Sequence, residues 1–474
     1  MTRNPATAMA TPVFAVVGHP NQGKSSLVST LTQDDHIAVS PVSGTTRDAH
    51  RYQLMLEQSV LYELIDTPGF QRARQIIAWC EQHSEGAAGR PEALRRFVEA
   101  HRDDPKFADD CTLLTPVLEG AGIVYVVDTS QRFDATFEAE LTLLSWTAQP
   151  RLALLNPIRA TGHEAEWQLA LQQYFSLVRT FNPLQAPFEH HLGLLRSMAE
   201  IHLPWREGLM RSVEALSEQR QQRHQHSAEA LVLYLQNVLQ HRLRLPLAGP
   251  KDQLKQQGLA QFNRDIQRQE QQLQVTLAGY YGHRNLDWTG EWQSLATDDL
   301  LDAHEWRAWG LSRTRLASLS GAAGAASGLV VDAAVGGTSL FLGAVVGGAL
   351  GSLAGGFAGR DPLSFEVLSR VPGYEQWQLG PVSNLEFALA LAGRSLRIWY
   401  QLRCRNHARR DAVLLNQSDL SHWLDGLGRK QQVQWVYWVR KMMKRPLNES
   451  EQNQLMGLIV ALGEQMDKPE SNPS

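Results

Sequence analysis

Gly18-His19-Pro20-Asn21-Gln22-Gly23-Lys24-Ser25 fits the pattern G-x-x-x-x-G-K-[ST] in full. An apolar run, Val13-Phe14-Ala15-Val16-Val17, precedes it and reads as a buried parallel strand. Ser25 to Leu31 follows as the first turns of a helix. That strand–loop–helix setting gives the motif its meaning. Gly18 and Gly23 let the backbone turn so that successive N–H groups face phosphate oxygens. The helix N-terminus adds a partial positive charge. Lys24 is placed to reach β- and γ-phosphates, and the Ser25 hydroxyl to bind Mg²⁺.

Three further pieces arrive in order. Gly44-Thr45-Thr46-Arg47-Asp48 comes first. Arg51 to Glu57 and Leu61 to Ile65 alternate as a strand hairpin would. Asp66-Thr67-Pro68-Gly69 closes the series. An Asp at a strand end suits a water-mediated hold on Mg²⁺. The Gly after it can offer its N–H to a γ-phosphate, and a Thr in the preceding loop can give its hydroxyl to the same metal. Each piece alone is also ordinary turn chemistry. Their order and strand context favour one phosphate site, with Lys24, Thr46 and Gly69 as candidates to act on the transferred group.

At these residues the chain resembles the TrmE–Era–EngA class of translation-factor-type GTPases. The shared forms are G-x-P-N-x-G-K-S, G-T-T-R-D and D-T-P-G. The resemblance implies an α/β P-loop G domain, mostly parallel, with helices on both faces. It implies GTP hydrolysis with Mg²⁺ on Ser25, Thr46 and Asp66. Asn21, Gln22, Gly23, Lys24, Ser25 and Ser26 would surround the phosphates with Gly18. So would Ser40 to Thr46, including Gly44 and Thr45, and Asp66, Thr67, Pro68 and Gly69. Asn21, Ser40, Val42 and Thr45 match the K⁺ site of potassium-activated members. Phe70 stands where Ras-like proteins orient water with Gln. The whole chain also looks similar to bacterial GTPases carrying a C-terminal helical domain of unknown function.

The resemblance breaks at the base-reading motif, Asn-Lys-x-Asp. After the strand Arg151 to Leu155 the chain reads Asn156-Pro157-Ile158-Arg159. Asn156 is kept, but Arg159 has donors only and cannot accept from guanine N1–H and N2–H₂. Guanine preference is therefore expected to be weakened. A second departure is length. The polar, helix-like stretch after Gly69 predicts an insertion at about 75–115, before a strand at Gly122 to Val127.

The expected organisation is a G domain over 1–185, a helical region over 186–315, a Gly-rich apolar hairpin over 316–360 and a helical region over 361–474 with a disordered tail. Leu231, Leu235, Val238 and Leu239 keep helical spacing, as do Leu259, Phe262, Ile266, Leu273 and Leu277. His190, His191, His224 and His226 lack carboxylate or Cys partners in sequence and read as surface histidines. In 316–360 Asp332 is the only charge before Arg360, and Gly343, Gly347, Gly351, Gly355 and Gly359 recur every four residues. Such a face demands close packing, either in a bilayer or against a soluble helix or second copy. Arg394, Arg397, Arg403, Arg405, Arg409 and Arg410, with Trp399 and Tyr400, form a basic, aromatic stretch. Arg440, Lys441, Lys444 and Arg445 do the same beside Trp435 and Trp438. Both stretches read as snorkelling surface helices, or as surfaces for anionic lipid or RNA.

The net charge of −4 excludes a whole-chain polyelectrolyte argument for nucleic acid. Three scattered cysteines and the lack of an apolar stretch in 1–11 predict a cytoplasmic protein, with inner-membrane association left open by 316–360. Three functional classes fit: a GTPase switch acting at a membrane or partner, a ribosome- or RNA-associated assembly factor, and a dynamin-like self-assembling membrane protein.

Overall fold

The computed structural model describes residues 11–33, 49–56, 59–159, 162–246, 250–283, 286, 363–369, 375–409, 411 and 429–466. The candidate residues Ser40, Val42, Gly44, Thr45 and Thr46, the hairpin at 316–360 and the C-terminal tail lie outside them. The contacts divide the chain into two compact units. The first is Met1–Gln221 with Cys404–Arg410, and the second is Gln222–Arg403 with Asp411–Ser474.

The first unit opens with strand β1 (Val13–Val17) and helix α1 (Lys24–Thr32). Then come β2 (His50–Leu56) and β3 (Ser59–Asp66), paired antiparallel as the alternation predicts. Helices α2 (Ala73–His83), α3 (Arg90–His101) and α4 (Ala108–Leu118) precede β4 (Gly122–Asp128). The chain continues through α5 (Ala135–Ser145), β5 (Arg151–Asn156), α6 (Glu164–Leu171), β6 (Val178–Thr180) and α7 (Phe188–Ile201). Helix α8 (Arg206–Leu239) begins in this unit and ends in the second.

The six strands form one sheet in the order β2-β3-β1-β4-β5-β6. All pairs except β2–β3 are parallel. Successive side chains of a strand point to opposite faces, and both faces are covered. Phe14 and Val16 pack with Leu27, Val28, Leu195 and Leu209 from α1, α7 and α8. Ala15 and Val17 pack with Ile76, Phe97, Leu114 and Leu141 from α2 to α5. The chain leaves β1 for one side of the sheet and later crosses to the other, so a crevice opens at the C-terminal end of β1.

The second unit holds the end of α8, β7 (Leu243–Pro246), α9 (Lys251–Tyr280), β8 (Leu363–Ser369), β9 (Glu375–Val382), α10 (Leu385–Cys404), α11 (Arg429–Lys444) and α12 (Glu449–Met466). The expected stripes form its core: Leu231, Leu235, Val238 and Leu239 join Phe262, Ile266, Leu273 and Leu277 in one apolar cluster. Three expectations need correction. The region is helical but not wholly so, because β7, β9 and β8 form an antiparallel sheet. Short edge segments such as Leu243–Pro246 carry little periodic signal.

The basic, aromatic stretch of α10 is not a surface. Arg394, Arg397, Arg403 and Trp399 are buried, with Arg394 Nε donating to Glu270 Oε1 at 2.6 Å. Arg403 donates to the Gly463 carbonyl and lies over the Trp399 ring. On α11, Trp435 and Trp438 are core residues too. Lys441 and Arg445 both pair with Glu451.

The third correction concerns the histidines. His190 and His226 are exposed, but His224 is buried edge-on to Trp399. The His191 ring sits near Phe181 and Phe188, and burial pushes its imidazole down to about 3, helped by Arg220, His407 and His190. Cys80, Cys111 and Cys404 are all unpaired. No helix among the described residues is long and apolar enough to cross a membrane.

Candidate functional site

The loop after β1 folds as its glycines dictate. Gly23 has φ of 91°, a left-handed conformation that costs glycine nothing, and it caps α1 at Lys24. A Cβ there would collide with the side-chain amide of Asn156. Asn21 also has a positive φ, of 64°, which Asn tolerates better than most residues. The Lys24 ammonium turns back over the loop, donating to the carbonyls of Gly18 at 3.2 Å and His19 at 2.9 Å. Burial pushes it down to about 8, although Asp66 and Glu140 both pull it upward. An anion in the crevice would relieve that cost.

Asp66 ends β3 beside β1, where Val16 pairs with it in register. Its Oδ2 accepts the Ser25 hydroxyl at 2.7 Å. The strand-end Asp and the loop Ser of the two motifs therefore meet at one point. A hydroxyl and a carboxylate, both hard oxygen donors, fit Mg²⁺. Among the described residues no group of three or more His, Cys, Asp or Glu could hold a metal. Thr67 does not face the crevice: its hydroxyl donates to Val16 O at 2.7 Å and ties the two strands. Gly69 abuts the first loop, since a Cβ would come within 2.6 Å of Pro20 Cδ. Phe70 is buried in the apolar layer and presents nothing to a water molecule.

On the base side, Asn156 Nδ2 donates to the Gln22 carbonyl at 3.0 Å. The Gln22 side chain, fully buried, accepts from the Asp128 N–H and reaches Gln131 at 3.3 Å. Asn156 thus braces the phosphate loop. Arg159 is exposed. Pro157 O accepts from Asn182 Nδ2 at 3.0 Å, which ties the strand ends of β5 and β6.

Two buried carboxylates at this end of the sheet escape a motif reading. Glu140 on α5 accepts from Tyr125 OH at 2.9 Å and pairs with His19 Nδ1 at 2.7 Å. Burial raises its carboxyl, and His19 and Tyr125 oppose the shift. Asp110 on α4 accepts the backbone N–H groups of Gln71 and Arg72. Each is a charge on an otherwise apolar helical stripe: Phe137, Glu140, Leu141 and Leu144, and Phe107, Asp110, Cys111 and Leu114. That pattern is the signal that finds them.

Comparisons with known proteins cover parts of the chain. Residues 13–156 match the family described as "50S ribosome-binding GTPase". GTPase Der of Streptococcus mutans is 31% identical over 149 residues, 29% of this chain and 32% of that protein. GTPase Der of Streptococcus thermophilus is 35% identical over 143 residues, with the same coverage. Over 71 residues, GTPase Der of Streptococcus agalactiae is 38% identical, covering 16% of its own length. The chain thus spans a third or less of the curated relatives it matches. A crystal structure of Aquifex aeolicus Era bound to GDP·AlF4⁻ matches 37% of this chain and 52% of its own at 17% identity, with a TM-score of 0.25. Residues 168–460, more than half of the chain, match "Domain of unknown function (DUF3482)". The chain is a member of the DUF3482 family, and ahead of that region residues 13–156 match a GTPase family model and are similar to GTPase Der.

Proposed function

We propose that this protein binds GTP at 18–26 and 66–69 and hydrolyses it to GDP and phosphate, as a switch that acts through its helical region. The observation that carries this reading is the 2.7 Å bond from Ser25 Oγ to Asp66 Oδ2, beside a Lys24 ammonium folded over the loop carbonyls. Phosphates replace those carbonyls as partners of Lys24, and loop N–H groups and the N-terminus of α1 hold the remaining oxygens. Mg²⁺ on Ser25, Asp66 and Thr46 would neutralise charge that develops as the β–γ bond breaks. Water attacks the γ-phosphorus, and the Gly69 N–H steadies the transferred group. Phe70 cannot orient that water, so hydrolysis by the protein alone is slow. K⁺ held by Asn21, Ser40, Val42 and Thr45 is the proposed accelerator.

Phosphate release in KCl against NaCl, with Asn21→Ala as control, tests the K⁺ role. A faster rate in KCl that Asn21→Ala removes is expected, and equal rates take the cation out of the mechanism. A ribosome-associated role is the second reading, favoured by the family description matched over 13–156. Fractionation separates the two. Co-sedimentation with ribosomes that nuclease abolishes supports association with RNA, and a detergent-dependent pellet supports action of 316–360 at a membrane.

A further inference from the structure

The helices between β3 and β4 do more than lengthen the crossover. Asp110 is completely buried on α4. Its Oδ1 accepts Gln71 N–H at 3.0 Å and Arg72 N–H at 3.3 Å, while its Oδ2 is buried with no hydrogen-bond partner among the described residues. Arg72 is the N-cap of α2 and makes no side-chain cap of its own. The carboxylate of a distant helix therefore satisfies the N-cap donor of α2 and the N–H of the residue before it. A second tie runs the same way, from Arg72 Nε to the Lys106 carbonyl at 2.9 Å. Phe70 is buried in the same apolar cluster as Phe107 and Cys111, which flank Asp110 on α4.

An apolar residue would fill this stripe without stranding a carboxylate oxygen. What the carboxylate supplies is an acceptor for the N–H groups two and three residues after Gly69, those of Gln71 and Arg72. Pro20 stands close beside Gly69, where an added Cβ would lie within 2.6 Å of Pro20 Cδ. The backbone that carries the Gly69 N–H is thus held from both sides, by Pro20 in front and Asp110 behind.

We propose that Asp110 is a positioning residue for hydrolysis: from the insertion it fixes the backbone after Gly69, so that the Gly69 N–H meets the γ-phosphoryl group. The inference rests on the GTPase reading above. It assigns the insertion a role inside the reaction and makes Asp110 matter for GTP but not for GDP, which has no γ-phosphate. Either oxygen chemistry suffices, since Asn keeps an acceptor at Oδ1.

The test uses the full chain with Asp110→Ala, Asp110→Asn and Lys24→Ala. Single-turnover phosphate release, GDP affinity and affinity for a non-hydrolysable GTP analogue are measured in parallel. Asp110→Ala should slow release by roughly ten- to a hundredfold, the scale of a misplaced catalytic group. It should weaken the GTP analogue while leaving GDP affinity unchanged, and Asp110→Asn should restore the rate. Wild-type release by Asp110→Ala overturns the proposal. Equal losses for GDP and the GTP analogue overturn it too, because they mark a merely structural role, and so does an Asn variant as slow as Ala. Lys24→Ala separates the two claims: unchanged nucleotide affinity in that variant removes the GTPase reading itself.

Discussion

The two units bury polar and charged groups in different ways. In the first, Lys24, Asp66, Asn156 and Gln22 gather at the C-terminal ends of β1, β3 and β5, around glycines that bring backbone close to them. In the second, Arg394 and Glu270 pair while both are buried in the unit whose core includes Leu235, Phe262 and Trp399. A buried charge reads as a site where the fold leaves it a place for a ligand. The Arg394–Glu270 pair has no such place among the described residues and is scaffold, costly to break.

The largest test of that contrast is Glu270→Ala. Leaving Arg394 buried beside an empty position should cost about 3–5 kcal/mol of stability. GTP affinity of the folded fraction should not change. A variant that unfolds no earlier in urea, or that loses nucleotide affinity while folded, breaks the contrast.

Lys24 gives the matching test in the first unit. Its amine lies at about 8 in the folded protein against an ordinary 10.5. Between those values the folded state holds fewer protons than the unfolded state, so stability rises with pH through that window and is flat below it. The gain is on the order of 3 kcal/mol relative to Lys24→Met, measured by denaturant titration at both ends of the window. Bound nucleotide should abolish it, because phosphate keeps the ammonium charged. A pH-independent difference between the two proteins would contradict the burial of Lys24.

Arg159→Asp returns an acceptor to the base side and should raise the GTP-over-ATP preference by about 1.5–3 kcal/mol, read by competition. No change there means that other groups of the loop read the base. The smallest effect expected is that of Gly69→Ala. Its methyl meets Pro20, and overpacking of this kind costs about 1–3 kcal/mol. A melting curve identical to wild type would show that the two loops separate freely.

Much of this contrast is legible in the sequence, and unevenly so. The phosphate loop, β1, the hairpin and Asp66 are local patterns, and Ser25 and Asp66 meet as their motifs require. The α8 and α9 stripes are legible for the same reason, since helical spacing is local. Asp110 and Glu140 are not, because their partners lie far away in sequence, and only a charge on an apolar stripe betrays them. The arginines of α10 mislead outright. Composition shows Arg394 and Trp399 as a basic, aromatic surface, whereas Glu270, more than a hundred residues earlier, draws Arg394 inside. Small strands such as Leu243–Pro246 are fixed by a partner strand distant in the chain, not by their own residues.

The central claim is that the crevice at the end of β1 is a nucleotide site. Its most direct test is a calorimetric titration of the full chain with GTP, GDP and ATP in Mg²⁺, repeated with Lys24→Ala. Saturable binding of GTP and GDP, weaker binding of ATP and none to a folded Lys24→Ala protein is the predicted result. Unchanged GTP affinity in that folded variant would contradict the account.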